Sequence, residues 1–237
     1  MENIRKNNIS SLIINISIIF FTMFSFFDSF RPDVIIDPDW LGFEGIHSLR
    51  FFTVLSNLFV AITAFIMVVY NIKNLIHDTH EYPDWLLLLK HIATSAVTLT
   101  FVTVILLLAP SYAIVGKGYF TLILGNHIYM HVLSPVLAII TYVFFENSYY
   151  VKFKKSLLAL LPVVLYAILY TTMVIFVGKA NGGWPDFYNF TFGGHNFVIP
   201  FSIIGMLLVT LGISVILAKL HNKNLNKNQK TQEENSK

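Results

Sequence analysis

Two histidines, a threonine and an asparagine interrupt long apolar stretches of this chain, where polar side chains are rare. His127 and His131 are four residues apart in GNHIYMHVLSP, and Thr53 and Asn57 are four residues apart in RFFTVLSNLFV. On a helix, residues at this spacing lie on one face. A histidine beside a hydroxyl can act as the general base for a nucleophile, and two histidines on one face can ligate a metal ion.

Each of these interpretations has a simpler alternative. Threonine in a membrane helix usually bonds to its own helix or to a neighbouring one. Arg50, one turn before Thr53 on the same face, can extend to the outer interface. A metal site needs at least a third ligand, which His47 or His195 would have to supply from an outer loop. One of the two histidines is expected to make only a hydrogen bond between helices.

Six apolar stretches, each near or above the roughly 20 residues needed to cross a ~30 Å hydrocarbon core, occupy most of the chain. Inside such a core every backbone amide needs an internal partner, so stretches of this length must be helices. They run over residues 9–27, 50–70, 85–108, 122–145, 157–177 and 198–217. The sequence therefore predicts an all-α integral membrane protein, a bundle of six transmembrane helices.

The distribution of Lys and Arg predicts how the bundle is oriented. Eleven of the sixteen Lys and Arg residues flank the spans on one side, and four, including Arg31, lie on the other. Under the positive-inside rule the richer side is cytoplasmic, which places both termini in the cytoplasm. We expect a multi-pass protein of the cell membrane, with one domain over residues 1–220. The polar residues 221–237 are expected to form a disordered cytoplasmic tail.

Composition excludes several kinds of protein. Only 12% of the 237 residues are charged, and six spans leave no room for a soluble domain. The chain has no cysteine, which rules out disulfides, thiolate metal sites and a cysteine nucleophile. No feature points to a nucleic-acid partner, and no cofactor is expected.

Two further regions carry polar or aromatic residues. Lys90 and His91 lie near the cytoplasmic start of the third span, where the lysine is expected to extend to the interface. The loop over residues 178–196 is rich in glycine and aromatic rings, which suit the headgroup zone. Thr53 and His131 both lie early in spans that run from outside to inside. They can therefore meet in the outer half of the bilayer.

Three segments resemble the androgen-inducible family of multi-pass membrane proteins and its bacterial relatives. They are RFFTVLSN in the second span, NHIYMHVLSP in the fourth, and LYTTMVIFVGKANGGWPDFYNF at the end of the fifth. Their order and spacing match over nearly the whole chain. The chain departs from the family where Pro135 follows His131 one residue early, and where Asp186 separates Pro185 from Phe187.

The resemblance implies an activity, because animal members hydrolyse fatty acid esters of hydroxy fatty acids with a membrane-embedded threonine and histidine. The matching positions here are Thr53, as the nucleophile, and His131, as the general base. The partners that this implies are membrane lipids and a long-chain fatty acyl ester.

The supporting residues are suggested by position alone. Asn57 or Arg50 would stabilise the developing oxyanion, and His127 is the other candidate base. The loop that contains Trp184 would cover a cavity between the second and fourth spans, open to the outer leaflet. Two alternatives stay open: a small transporter or lipid-binding protein, and a hydrolase in which the histidine pair holds a metal ion.

Overall fold

The computed structural model of the chain describes residues 2–30, 45–146, 148–191 and 193–235, and within these ranges every regular element is helical. The prediction of an all-helical protein is confirmed. Arg31 and most of the first loop lie outside the described residues. The long helices are α1 Glu2–Asp28, α2 Phe52–His77, α3 Asp84–Ile114, α4 Tyr129–Phe145, α5 Phe153–Val177 and α6 Ile199–Asn235.

Within the described ranges, five helices are long and apolar enough to cross a membrane, namely α1, α2, α3, α5 and α6. The apolar α4 is shorter. The residues that flank α4 lie near opposite ends of α1. Asn126 donates a hydrogen bond to Asp28 at the end of α1, whereas Glu146 accepts one from Ser11 near its start. The α4 segment therefore runs most of the length of the bundle.

The centre of the bundle is formed by α2 and α3. In their most apolar stretches 56% of the residues are buried, against 22% in α1 and α6 and 17% in α5. Alanines of α2, α3 and α4 at the contact of α1, α2, α3 and α4 let the backbones approach closely. This cluster contains Ile18, Val60, Ala64, Ala93, Val97 and Ala138.

Prolines explain two wide, π-helical turns. The turns Val104–Leu108 and Tyr129–Leu133 each end two residues before a proline, Pro110 and Pro135 respectively. Proline has no N–H, and its ring collides with the carbonyl four residues earlier, so the preceding turn cannot keep regular α-helical bonds. For Pro135 that carbonyl belongs to His131. The proline therefore places this histidine in a widened turn, a feature that is frequent at functional sites.

A buried ion pair joins α3 to the end of α4. Nζ of Lys90 lies 3.4 Å from Oε2 of Glu146, and both side chains are 0% exposed. Lys90 also donates to Asn15 at 2.6 Å, while Asn15 and Ser11 donate to the other carboxylate oxygen at 2.6 and 2.9 Å. The expectation that Lys90 extends to the interface is therefore wrong, because its charge is compensated inside the bundle.

The same network reaches the loop between α2 and α3. Asn71 donates to Ser11 at 3.0 Å, and the Tyr82 hydroxyl donates to Asn71 at 2.6 Å. Burial, and then the nearby Glu146 carboxylate, raise the pKa of Tyr82 far above its usual value, so the phenol stays protonated and donates. These bonds bring the start of α1, the α2–α3 loop and the end of α4 to one end of the bundle.

Residues at the start of the expected disordered tail belong to the packed bundle. His221 is 0% exposed, and its two ring nitrogens lie 2.8 Å from the carbonyl oxygens of Tyr142 and Tyr149. Asn222 pairs with the backbone N–H and C=O of Val151, each at 2.9 Å. These polar side chains pair with backbone groups at the end of α4 and just after it instead of with water, and the helix continues to Asn235.

Removing the cation of the buried pair should destabilise the protein strongly. We expect Lys90→Met to cost about 3–5 kcal/mol, because it leaves the Glu146 carboxylate buried without its partner. Lys90→Met/Glu146→Gln should recover much of that loss. Thermal unfolding in detergent micelles measures both, with the exposed Lys73→Met as the matched control, expected within about 0.5 kcal/mol of wild type. Equal stability of Lys90→Met and Lys73→Met would contradict this account of the ion pair.

Candidate functional site

Thr53 lies in the first turn of α2, just after Phe51, whose backbone is extended (φ −89°, ψ 133°). Its side chain is 9% exposed and contacts the hydroxyl of Tyr188. The backbone N–H of Phe52 donates to the same hydroxyl at 3.1 Å. The first N–H groups of a helix have no partner within it. Tyr188 therefore covers a free helix end beside the Thr53 hydroxyl.

A cavity of about 50 Å³ opens beside Thr53, enclosed by α2, α3, α5, α6 and the α5–α6 loop. Its wall is mostly apolar, and its polar side chains all carry hydroxyl groups: Thr53, Thr100, Thr103, Tyr166, Tyr170 and Tyr188. The prediction that the second and fourth spans form the cavity is wrong, because none of the described residues that line it belongs to α4. The helix α4 instead meets α2 one turn further along, at Asn57. Tyr188 and Phe190 line the cavity from the loop, and Trp184 does not.

An apolar groove of about 390 Å³ adjoins this cavity. Phe52 and Tyr166 line both spaces, and their ring centres are 5.2 Å apart. The Tyr166 hydroxyl donates to the Arg50 carbonyl oxygen at 2.7 Å, which holds the ring in place. Several leucines of the groove, such as Leu165, are exposed on the surface of α5. Movement of the two shared rings would join the groove to the cavity.

His131 is 5% exposed and lies in the widened turn of α4. Its Nδ1–H donates to the carbonyl oxygen of Leu122, so Nε2 carries the lone pair and is the nitrogen that can accept a proton. The ring of His127 stacks on it, with centroids 5.5 Å apart and planes 10° from parallel. A general base requires this kind of fixed tautomer. The Leu122 carbonyl oxygen occupies the position at Nδ1 that a carboxylate takes in catalytic triads.

Asn57 connects the two helices that carry the candidate catalytic residues. Its amide donates to the carbonyl oxygen of Thr53 at 2.8 Å and to that of Met130, the residue before His131, at 3.0 Å. The side chain is 0% exposed, and these two bonds use both amide hydrogens. Asn57 therefore holds α2 against α4 and has no hydrogen left for an oxyanion, the role that its position suggested.

Arg50 ends the short helix Gly45–Arg50 that precedes α2. The central carbon of its guanidinium lies 4.9 Å from the ring centre of Phe51 and 5.8 Å from that of Phe187, a cation–π arrangement. Its Nε is buried without a hydrogen-bond partner, so a donor remains for an anionic group. The Trp184 ring lies 6.0 Å from Phe187 and contributes to the packing of the loop.

Asp186 organises the loop between α5 and α6. Its carboxylate accepts hydrogen bonds from the Tyr170 hydroxyl (2.6 Å) and from the backbone N–H groups of Phe190 (2.9 Å) and Thr191 (2.7 Å). Burial acts to raise the pKa of this carboxyl, but the hydrogen bonds, led by those from Thr191 and Tyr170, outweigh it and hold the pKa below its usual value. Tyr188 follows two residues later and is placed over the start of α2.

The Tyr188 phenol is neutral near physiological pH. Burial raises its pKa to about 12, against hydrogen bonds with Tyr166, Phe52 and Thr53 that act to lower it. The phenol therefore stays a possible hydrogen-bond donor beside the Thr53 hydroxyl. Sequence reasoning missed this residue because it assigned the rings of the loop to the headgroup zone. The available signal was Asp186, an acid among aromatic residues in a loop.

Among the described residues, the structure places no third ligand beside His127 and His131 for the metal site that was the alternative. In the part of the chain that the structure describes, no group of three or more His, Asp and Glu side chains lies close enough to hold a metal ion. Neither His47 nor His195 joins His127 and His131 in such a group.

No family model, no curated protein and no solved structure matches this chain. The function of the region around Thr53 is therefore inferred from its own residues and their geometry.

The loop above Thr53 should open at acidic pH. The Asp186 carboxyl has a lower pKa in the folded loop than in the unfolded chain. Its ionised form therefore stabilises the fold fully above about pH 5. That contribution is lost as the pH falls below about 4 through the lowered pKa. Fluorescence of Trp184, in a Trp40→Phe/Trp85→Phe background, should report this transition. Asp186→Asn should abolish it, and the same transition in that variant would contradict the assignment.

Proposed function

We propose that the protein is a membrane-embedded hydrolase of long-chain (hydroxy) fatty acid esters, with Thr53 as the nucleophile and His131 as the general base. The observation that carries the proposal is the pair of bonds from Asn57 to Thr53 O and Met130 O, at 2.8 and 3.0 Å. They hold the first turns of α2, which include Thr53, against the widened turn of α4 that contains His131, and so support the proposed pairing. The resemblance to the androgen-inducible hydrolases supports the same two residues.

The chemistry follows from the donors and acceptors around Thr53. His131 Nε2 takes the hydroxyl proton as the threonine oxygen attacks the ester carbonyl carbon. In this mechanism a bridging water would carry the proton between the two groups, since His131 is not among the residues that line the cavity at Thr53. The neutral Tyr188 phenol and the Phe52 N–H, which now bonds to it, turn to the developing oxyanion. The alcohol leaves with the proton of the imidazolium, and water then hydrolyses the acyl-threonine by the same route.

The two adjoining spaces favour a lipid substrate. The cavity at Thr53, about 50 Å³, has room for about one or two waters. The apolar groove beyond Phe52 and Tyr166, about 390 Å³, is large enough for part of an acyl chain. An acyl chain that enters from the membrane would displace these two rings to bring its ester to Thr53. A water-soluble ester would gain nothing from such a groove.

We also propose six membrane spans, including α4, with both termini in the cytoplasm and the Asp186 loop outside the cell membrane. The distribution of Lys and Arg supports this orientation. The hydrogen bonds around Ser11, Tyr82 and Glu146 support an even number of crossings, because they gather the start of α1 with the loops after α2 and α4.

A non-enzymatic lipid-binding or transport protein is the second candidate. The same groove and cavity favour it, since Thr53, Tyr166 and Tyr188 could orient a headgroup without reacting with it. The reactivity of the threonine separates the two candidates.

Loss of either catalytic group should abolish hydrolysis. We expect Thr53→Ala and His131→Ala to reduce the hydrolysis of a long-chain ester in detergent micelles to background. Thr53→Ser should retain activity, because it keeps a hydroxyl nucleophile. Tyr188→Phe, which removes one proposed oxyanion donor, should lower kcat about 10²-fold. A fluorophosphonate probe should label wild type and Thr53→Ser, but not Thr53→Ala.

Thr103→Ala is the matched control, because Thr103 lines the same cavity without a proposed chemical role. It should keep both labelling and hydrolysis. Full activity in well-folded Thr53→Ala or His131→Ala would contradict the mechanism. Binding of a long-chain ester without labelling or turnover in wild type would favour the lipid-binding candidate.

A further inference from the structure

A second groove, of about 910 Å³, lies between the last turns of α4 and the part of α6 near Lys219. It shares no lining residue with the cavity at Thr53. One wall is apolar and contains Ile139, Val143 and Phe144 of α4. The other wall is basic and contains Lys219, Lys223 and Lys227 of α6.

The three lysines form a continuous basic strip. They are spaced four residues apart, so they lie on nearly the same face of α6 and span about 12 Å along its axis. All three are exposed. None of the described residues that line this groove is acidic. The described lining of the groove therefore carries a net positive charge.

The apolar wall lies next to this strip. Phe144 is 53% exposed and Leu220, between Lys219 and Lys223, is 45% exposed. Both line the groove together with Val143. Lysines directly follow the apolar part of α6, at residues 198–217, where the acyl region of a membrane gives way to headgroups.

Hydrogen bonds hold the two walls together. Asn224 donates to the carbonyl oxygen of Val143 at 3.0 Å. Asn222 pairs with both backbone groups of Val151, and His221 contacts the carbonyl oxygen of Tyr142 at 2.8 Å. The groove is therefore formed before a ligand binds, which lowers the entropic cost of binding.

We propose that this groove binds an anionic phospholipid, with its phosphate at Lys219, Lys223 and Lys227 and an acyl chain along Val143 and Phe144. The charge of the strip selects an anionic headgroup over a zwitterionic one. The exposed apolar wall selects a lipid over a soluble phosphate compound, which would leave that wall in contact with water. This site is independent of the proposed hydrolase activity.

The test uses the purified full-length protein and native mass spectrometry with added phosphatidylglycerol or phosphatidylcholine. We expect tighter binding of phosphatidylglycerol. Each lysine near a membrane surface contributes about a fivefold factor, so the triple variant Lys219→Gln/Lys223→Gln/Lys227→Gln should bind phosphatidylglycerol about 100-fold more weakly. Binding of phosphatidylcholine should not change.

The control is Lys152→Gln/Lys154→Gln/Lys155→Gln, which removes the same charge from the segment at the start of α5. It should keep its affinity for phosphatidylglycerol. Three results would overturn the proposal: unchanged affinity in the α6 variant, an equal loss in the control, or displacement of the lipid by inorganic phosphate alone. Equal unfolding midpoints of both variants show that the comparison concerns binding. Phe144→Asp, which charges the exposed part of the apolar wall, provides a second variant that should also lose the lipid.

Discussion

Inside a hydrocarbon environment, a polar side chain is costly unless it finds a partner within the protein, and this constraint shapes the contacts of the bundle. The Lys90–Glu146 pair is the clearest case, because both groups are fully buried and Asn15 and Ser11 complete the bonds to the carboxylate. Asn57 has the equivalent role between α2 and α4. Apolar packing alone would not select these neighbours, since lipid is as apolar as a helix face. Polar pairs between helices therefore determine which helices are in contact and at what position along the bundle axis they are in contact.

At the start of α2, polar groups lie beside a cavity and are available for a proposed reaction. A helix begins with N–H groups that have no partner in it, and here the Tyr188 hydroxyl accepts from one of them beside Thr53. Arg50, one turn earlier, keeps a buried Nε without a hydrogen-bond partner. Two donors that suit an oxyanion, the Tyr188 hydroxyl and the Phe52 N–H, thus lie beside the Thr53 hydroxyl, and an apolar groove adjoins them. We propose that this combination, and not any single residue, makes the site suitable for lipid esters.

Local features of the sequence were enough to predict the helices and the shared face of Thr53 and Asn57, because apolar length and four-residue spacing do not depend on the rest of the fold. Pairing between helices is not local. Lys90 was assigned to the interface because Glu146, far along the chain, has no sequence signal that links the two. The walls of the cavity were misassigned for the same reason. The helices that surround Thr53 are set in part by the loop that Asp186 organises. The fold of that loop has no signal in the hydrophobic periodicity of the sequence.

The central claim is that Thr53 and His131 lie close enough, beside the contact of α2 with α4, for one water to bridge them, and the absence of cysteine from the chain makes their proximity directly measurable. Thr53→Cys/His131→Cys protein in detergent micelles, treated with a short bifunctional thiol reagent, should form an intramolecular crosslink that mass spectrometry detects. Thr53→Cys/Tyr129→Cys should not, because the Tyr129 ring packs against Phe21 and Phe24 of α1. Crosslinking at position 129 but not at position 131 would contradict the account.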